Sequence, residues 1–259
     1  MKSHALAPAK VILTGEHFVV YGAAAIVAAV NIYSNAIVSR RNDKAIVVRS
    51  SSPSCAMSFV DGSPRVIRGG KDSRAILEPI CRVAHAALEH FDGREKGLDI
   101  QIDSAIPVGV GLGSSAAVAV STIAATARLL RRRTDREAIR RLAFESECMI
   151  HKAPSGIDQT ISTFGGVVMY RREKPFQRIP VRHTFSIIIG NTGKKRSTGA
   201  MVSKVRGFLT KRSALKREIL MSAERVAKKA LAALQCGDIQ QLGELMNLNH
   251  ELLCQIRVS

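Results

Sequence analysis

The sequence has no tryptophan, only three tyrosines and no long apolar run. A membrane-spanning helix needs about 20 consecutive apolar residues, so we expect no membrane span. The five cysteines are widely spaced and form no Cys-x-x-Cys pair, which argues against a disulfide framework or a zinc site and favours a reducing, cytoplasmic location. No apolar segment with a cleavage site follows Lys2, so we expect no secretory signal.

Positive charge is abundant, because the 259 residues carry a formal net charge of +18. Much of this charge lies in residues 128–141 and 194–229. Basic runs of this kind occur in nucleic-acid-binding proteins. However, the chain offers three Tyr, no Trp and no RNA-binding signature among these charges. We therefore favour solvated helix faces on a protein with an anionic substrate, and we expect neither a nucleic-acid nor a membrane partner.

Apolar periodicity predicts an α+β protein, with strands mostly in the first half and helices mostly in the second. We predict strands at 9–14, 19–21, 25–30, 37–38, 46–48, 98–102, 167–170 and 185–190, a hairpin within 50–72, and helices at 76–88, 115–130, 135–149, 215–230 and 239–253. Pro79 is expected to distort the first of these helices.

The segment from Ile106 to Ala117 places three glycines at every second position, followed by two serines and an alanine-rich run. A glycine loop that leads into a helix gathers unpaired N–H groups at the positive end of the helix dipole. The sequence therefore predicts an anion site, which we interpret as a phosphate site. It is neither a Walker A loop nor a dinucleotide fingerprint. The alternative is a glycine-rich turn without a ligand.

Three charged residues are candidates for catalysis. Glu147 and Asp158 lie on either side of a predicted turn, where one carboxylate can hold Mg²⁺ while the other orients a hydroxyl or accepts its proton. The alternative roles are a surface residue and a helix cap. Lys10 lies in an apolar strand, where it can pair with a carboxylate such as Asp158 or stabilise an alkoxide. The alternative is an edge lysine that reaches water.

These segments resemble a known family of small-molecule kinases. Residues 8–22 are similar to the first signature of the GHMP kinases, and the glycine loop is similar to their second signature. The segments 15–22, 151–166 and 191–198 resemble most closely the mevalonate kinase family within that superfamily, and Met246–Leu253 fits it too. The resemblance follows the family's order from residue 5 to the last residue.

The resemblance implies the GHMP kinase fold. A ribosomal-S5-like N-terminal domain would occupy residues 1–182, and an incomplete ferredoxin-like C-terminal domain would occupy residues 183–259. The implied reaction is the phosphorylation of the primary hydroxyl of mevalonate by ATP. The sequence leaves both a monomer and a homodimer open.

The resemblance also implies residue roles. The ATP phosphates would be bound by Pro107, Gly109, Gly111, Leu112, Gly113, Ser114, Ser115 and Ala116. Ser115 and Glu147 would hold Mg²⁺, Asp158 would be the general base or orient the substrate hydroxyl, and Lys10 would stabilise the alkoxide and the transferred phosphoryl group. The mevalonate pocket would be lined by Glu16, His17, Arg196 and Thr198. An arginine or a protonated histidine there suits a carboxylate substrate.

The family's third signature, a second glycine-rich loop, does not occur before Ser259. We therefore expect a chain that ends there to have little or no kinase activity, and a longer parent chain to be active. Two other functions remain open. One is another GHMP kinase, acting on phosphomevalonate or homoserine. The other is a non-catalytic, kinase-like protein that binds nucleic acid through its basic helices.

Overall fold

The computed structural model describes residues 1–50, 54–60, 63–93, 96–150, 155–181, 184–193 and 198–258. The elements in chain order are β1 (Lys2–Thr14), a 3₁₀ turn (Phe18–Tyr21), β2 (Ala25–Arg41), β3 (Ile46–Arg49), β4 (Ser54–Val60), β5 (Ser63–Arg68), α1 (Lys71–His90), β6 (Gly97–Ser104), α2 (Ser114–Leu129), α3 (Arg136–Ile150), α4 (Ile157–Phe164), β7 (Val167–Tyr170), β8 (Gln177–Ile179), α5 (Thr198–Thr210), α6 (Ser213–Cys236) and α7 (Ile239–Gln255). This mixture confirms the predicted α+β class.

The chain forms two compact units. The first consists of Met1–Ala9, Val30–Val108 and Gly113–Phe164, and the second consists of Lys10–Ala29, Gly109–Leu112 and Gly165–Ser259. Strands β1 and β2 run through both sets of residues. The domain boundary expected at residue 182 stays a prediction.

The first unit is a sheet covered by helices. Its strand order is β5-β4-β3-β6-β2, and β2 runs antiparallel to β6 from Ser34 opposite Ser104 to Arg41 opposite Gly97. Strand β3 is parallel to β6, whereas β4 is antiparallel to β3 and to β5. Helices α1 and α2 pack together, and a core that includes Ile100, Leu77 and Leu129 joins them to the sheet. Helix α4 packs against both α2 and α3.

The second unit combines short strands with the long C-terminal helices. The start of β2 pairs with β7 from Ala25 opposite Tyr170 to Ala28 opposite Val167, and β7 pairs with β8. Helices α6 and α7 pack along each other. One apolar core joins α6 and α7 to the strands, and a second core buries Phe18 against α5, α6 and α7. The helices thereby hold the 3₁₀ turn in place.

Most of the predicted elements are confirmed, and two are wrong. The segment 19–21 belongs to a 3₁₀ turn and not to a strand, because Phe18 at its start is buried in the core of helices α5 to α7 and Tyr21 packs against the same core. The predicted strand at 185–190 is wrong as well: among the described residues 184–193 there is no strand. Phe185 and Ile187 still pack on the apolar core, while Ile188 is 98 % exposed. Pro79 lies within α1, which continues on both sides of it.

The described helices include none that is both long enough and apolar enough to cross a bilayer.

Candidate active site

A tight turn in the second unit carries Glu16 and His17. Gly15 has a φ of +96°, and a Cβ at this position would lie 2.3 Å from the carbonyl oxygen of Ala24 and 2.6 Å from the Cα of Ala25. The backbone at Gly15 therefore needs both the left-handed conformation and the missing side chain. The turn closes when the N–H of Val19 donates to the Gly15 carbonyl at 3.0 Å.

An ion pair holds the far end of this turn. Arg171 donates to both carboxylate oxygens of Glu224, at 2.9 and 2.6 Å, and to the carbonyl of Gly22 at 2.8 Å. Glu224 in turn accepts the N–H of Ala24 at 3.0 Å. The hydrogen bonds from Arg171 lower the pKa of the Glu224 carboxyl, so this pair stays charged and links the turn to α6.

Glu16 is a half-buried carboxyl with an unusual environment. Burial raises its pKa, because desolvation disfavours the charged form. Its own backbone hydrogen bond, a hydrogen bond from Asn249 and the charges of Lys10 and His250 act in the opposite direction. Lys10 is itself only 8 % exposed, so the predicted edge lysine that reaches water is not what the structure has. The buried Lys10 thus acts electrostatically on the half-buried Glu16 within this unit.

His17 precedes the 3₁₀ turn and has a left-handed φ of 62°, which is rare for a residue with a side chain. Burial lowers the pKa of this imidazole. In the protein without a bound anion, the side chain is therefore neutral at pH 7. The imidazole can therefore bind a ligand as a neutral hydrogen-bonding group. A bound carboxylate would have to raise the pKa of His17 before the ring carries charge.

The glycine loop has the backbone that the sequence predicts. Gly109, Gly111 and Gly113 have φ values of 80°, 85° and 74°. A Cβ added at Gly109 or Gly111 would meet nothing within 4 Å, so these glycines are required by their conformation and leave the backbone open. Within the second unit, the backbone N–H of Lys10 donates to the carbonyl of Leu112 at 3.0 Å and so attaches the loop to β1.

The loop leads along the chain into the N-terminus of α2 in the first unit. Gly113 is the N-cap and provides no side-chain acceptor for the first-turn N–H groups. Ser115 is exposed, whereas Ala116 and Ala117 are buried against the unit. The Ser114 hydroxyl donates to the carbonyl of Ile106 at 3.5 Å, across the base of the loop. An uncapped helix start of this kind is suited to bind an anion.

The two predicted carboxylates lie on packed helices of the first unit. Glu147 is half-buried near the end of α3, and Asp158 is half-buried in the first turn of α4. Helix α4 is fixed to β1 by a hydrogen bond from Ser162 Oγ to the carbonyl of Pro8 at 3.0 Å. Asp158 therefore stands on a helix that is attached to strand β1.

Two of the predicted site residues are not described. Arg196 lies outside the described residues. Thr198 begins α5, but its side chain is not described either.

Asn249 is a site residue to which no sequence motif assigned a role. It is 2 % exposed, and its Oδ1 accepts the Gly15 N–H at 2.9 Å while its Nδ2 donates to Glu16 Oε2 at 2.8 Å. The contact joins residues 233 positions apart. Only its presence in the segment Met246–Leu253, which fits the kinase signature, pointed to it.

Comparison with known proteins identifies relatives over the whole chain. The model of the GHMP kinases N terminal domain matches residues 78–166. The mevalonate kinase of Thermococcus gammatolerans is 36 % identical over all of this chain and 79 % of its own length. The mevalonate kinase of Pyrococcus furiosus is 35 % identical over the same shares. The chain thus spans about four fifths of these relatives.

Solved structures of mevalonate kinases are also similar to this chain. The crystal structure of the mevalonate kinase of L. major in complex with R-mevalonate has a TM-score of 0.80 at 28 % identity, and covers 98 % of this chain and 76 % of that one. The Methanococcus jannaschii mevalonate kinase has a TM-score of 0.79 at 23 % identity, covering 100 % of this chain and 80 % of that one, and so supports the fold. The predicted GHMP kinase fold is confirmed.

Proposed function

The chain belongs to the mevalonate kinase family of GHMP kinases, and from this premise we propose that it transfers the terminal phosphoryl group of ATP to the primary hydroxyl of mevalonate. The products are 5-phosphomevalonate and ADP. The observation that carries this proposal is the 36 % identity over the whole chain with the Thermococcus gammatolerans enzyme. The R-mevalonate bound to the L. major enzyme supports the choice of substrate.

The open glycine loop fits the phosphates of ATP. At Gly109 and Gly111 no neighbour approaches within 4 Å of an added Cβ, so a phosphate can reach the backbone there. The uncapped N-terminus of α2 adds N–H donors and the positive end of a helix dipole. We assign this role to Pro107, Gly109, Gly111, Leu112, Gly113, Ser114, Ser115 and Ala116.

The hydroxyl of Ser115 and the carboxylate of Glu147 are oxygen donors of the kind that Mg²⁺ prefers, and we assign the ion to them. When bound, it neutralises negative charge on the phosphate oxygens. Asp158 orients the mevalonate hydroxyl or accepts its proton. Lys10 stabilises the resulting alkoxide with a buried ammonium group.

Glu16, His17, Arg196 and Thr198 form the proposed mevalonate pocket. The Glu16 carboxylate accepts hydrogen bonds from the substrate hydroxyls, and Arg196 pairs with the substrate carboxylate. The neutral imidazole of His17 adds a hydrogen bond.

We also propose a reducing, cytoplasmic setting. In the part of the chain that the structure describes, Cys81, Cys148, Cys236 and Cys254 form no disulfide, which supports this proposal.

The test measures binding and turnover together, because the two can be lost separately. ADP release is followed with mevalonate, phosphomevalonate and homoserine in parallel, and the product is identified by phosphorus NMR. Mevalonate binding is measured by calorimetry. We expect mevalonate to bind in preference to the other two alcohols, and any phosphorylation, fast or slow, to prefer mevalonate. Preference for another alcohol, or neither binding nor phosphorylation of mevalonate, would contradict the proposal.

A variant separates the chemistry from the binding. Asp158→Asn should lower kcat by about 100-fold or more, the usual effect of losing a general base, with mevalonate affinity nearly unchanged. Glu145→Gln is the matched control, because Glu145 is an exposed acid on the neighbouring α3. It should leave both quantities at the wild-type level.

A further inference from the structure

The buried amide of Asn249 connects α7 to both residues of the Gly15–Glu16 turn. The Gly15 N–H can only donate, so it must face the Asn249 carbonyl oxygen at 2.9 Å. This fixes the orientation of the amide, and its NH₂ group then has to face Glu16 Oε2 at 2.8 Å. An NH₂ group only donates, so the bond favours a carboxylate that accepts.

The turn cannot change its shape to suit another partner. Gly15 has a left-handed backbone and lies closely against the carbonyl of Ala24. Its N–H therefore has a fixed direction. Asn249 is equally fixed, because it is 2 % exposed within a packed helix. The amide therefore fixes where Glu16 points and does not adapt to it.

The Asn249 amide also opposes the effect of burial on the pKa of Glu16. Burial raises the pKa of Glu16, whereas the Asn249 hydrogen bond lowers it, together with Lys10 on β1 and His250 on α7. A carboxyl that is buried and left without these partners would take up a proton and become a donor. Asn249 thus keeps both the direction and the acceptor character of Glu16.

We propose that Asn249 is a positioning residue for substrate recognition, which holds the Glu16 carboxylate as a fixed acceptor toward the alcohol substrate. The proposal rests on the mevalonate kinase function above. It adds that recognition of the substrate depends on a residue of α7 that does not itself need to touch the substrate.

Asn249→Asp is the sharpest test, because it keeps the size and the acceptor for Gly15 but replaces the donor facing Glu16 by an oxygen. At pH 8 two carboxylates then face each other and repel, so Glu16 is displaced. At pH 6 a shared proton restores a hydrogen bond and the net charge of the wild-type pair. We expect the KM for mevalonate, relative to wild type at the same pH, to rise about tenfold or more at pH 8 and to recover at least partly at pH 6.

The KM for ATP and the kcat should stay within about threefold of wild type, because the glycine loop and Asp158 are unchanged. Asn247→Asp is the matched control: it makes the same chemical change on the same helix at an exposed position. It should leave the mevalonate KM unchanged at both pH values. Where turnover is too slow to measure, mevalonate affinity by calorimetry replaces KM.

The double variant Glu16→Gln/Asn249→Asp separates positioning from folding. The amide introduced at position 16 can donate to the carboxylate introduced at position 249, so the unfolding midpoint at pH 8 should return toward the wild-type value. Mevalonate KM should nevertheless stay high, because the carboxylate has moved from the turn to α7. If KM follows stability in all variants, Asn249 is a structural residue only and the proposal is wrong.

An Asn249→Asp variant with wild-type mevalonate KM at pH 8 would also overturn it. This failure is distinct from a failure of the proposed function, which is tested in the wild-type chain. If wild type prefers another alcohol, the same pH-dependent loss measured with that alcohol would still support the positioning role.

Discussion

Gly15 and Gly22 enclose the turn that carries Glu16 and His17, and both have left-handed backbones, with φ values of 96° and 92°. They differ in the space around them. An added Cβ would clash with backbone atoms at Gly15 but would meet nothing within 4 Å at Gly22. The pair therefore separates the effect of conformation from the effect of close approach.

We predict that Gly15→Ala destabilises the protein far more than Gly22→Ala. The left-handed conformation costs about 1–2 kcal/mol for alanine at either position. At Gly15 the clash with the Ala24 carbonyl and the Ala25 Cα adds about 1–3 kcal/mol, because backbone has to move. Urea unfolding followed by circular dichroism measures both variants.

The same clash should move the Glu16 carboxylate, so Gly15→Ala should also weaken mevalonate binding more than Gly22→Ala does. Equal losses of stability in the two variants would mean that the backbone near Ala24 moves at no cost in free energy. The turn would then not be rigid.

Among the elements, the glycine loop and α2 follow each other in the chain: an open backbone at Gly109 and Gly111 precedes an uncapped helix start. Gly109 and Gly111 are needed for their conformation and not for packing, unlike Gly15. A substitution in this loop should therefore affect a bound anion more than it affects the fold.

Gly111→Ala tests this separation. We expect a loss of about 1–2 kcal/mol in stability from the left-handed φ of 85°, and a weakening of ATP binding by about tenfold, because the methyl group stands on the backbone that the phosphates approach. Gly237→Ala is the control, since Gly237 has a similar φ of 80° at the C-terminus of α6. A titration with a non-hydrolysable ATP analogue should give wild-type affinity for this control. Equal ATP affinity in both variants would argue against a phosphate site at Gly111.

Elements whose burial follows their own periodicity could be predicted from the sequence. Helix α6 and the alternating strand β6 are examples, because one face of each is apolar and packs on the core. The segment 18–21 could not, because its apolar residues are buried by distant helices and not by a neighbouring strand. The segment 185–190 is a short apolar run of the kind that forms buried strands, but an apolar run does not provide the partner that a strand needs.

The candidate site likewise contains residues that local sequence signals indicate and contacts that only the fold creates. Lys10, Glu147 and Asp158 stand next to local signals, namely an apolar strand and a predicted turn, and these signals were enough to single them out. The hydrogen bond from Asn249 to Glu16 joins residues 233 positions apart, and no local pattern encodes such a contact. The neutral state of His17 likewise depends on burial that only the fold creates.

The protein as a whole has an excess of basic residues, with 39 Lys and Arg against 21 Asp and Glu. Many acidic residues of the described chain already have basic partners, as in the pairs Arg82–Glu78, Arg132–Asp92 and Arg171–Glu224. The cations that remain have few acids to face. In the sequence, residues 194–217 contain nine basic residues and no acid: Lys194, Lys195, Arg196, Lys204, Arg206, Lys211, Arg212, Lys216 and Arg217.

Two opposite effects of salt follow from this distribution. Salt weakens the ion pairs, but exposed pairs contribute only about 0–1 kcal/mol each. Salt also screens the mutual repulsion of the surplus cations, which opposes the compact state. The pair Arg171–Glu224 is half-buried and is screened less than an exposed pair. We therefore expect the relief of repulsion to exceed the loss of ion pairs.

The prediction is that the thermal unfolding midpoint rises between 10 and 150 mM NaCl, as the screening length falls from about 30 to about 8 Å. A rise of about 2–4 °C would correspond to about 1 kcal/mol for a chain of this size. The double variant Lys211→Glu/Arg217→Glu lowers the net charge from +18 to +14 within the acid-free segment, so its midpoint should rise less with salt. A midpoint that falls with salt in the wild-type chain would mean that the ion pairs outweigh the repulsion, which would contradict the prediction.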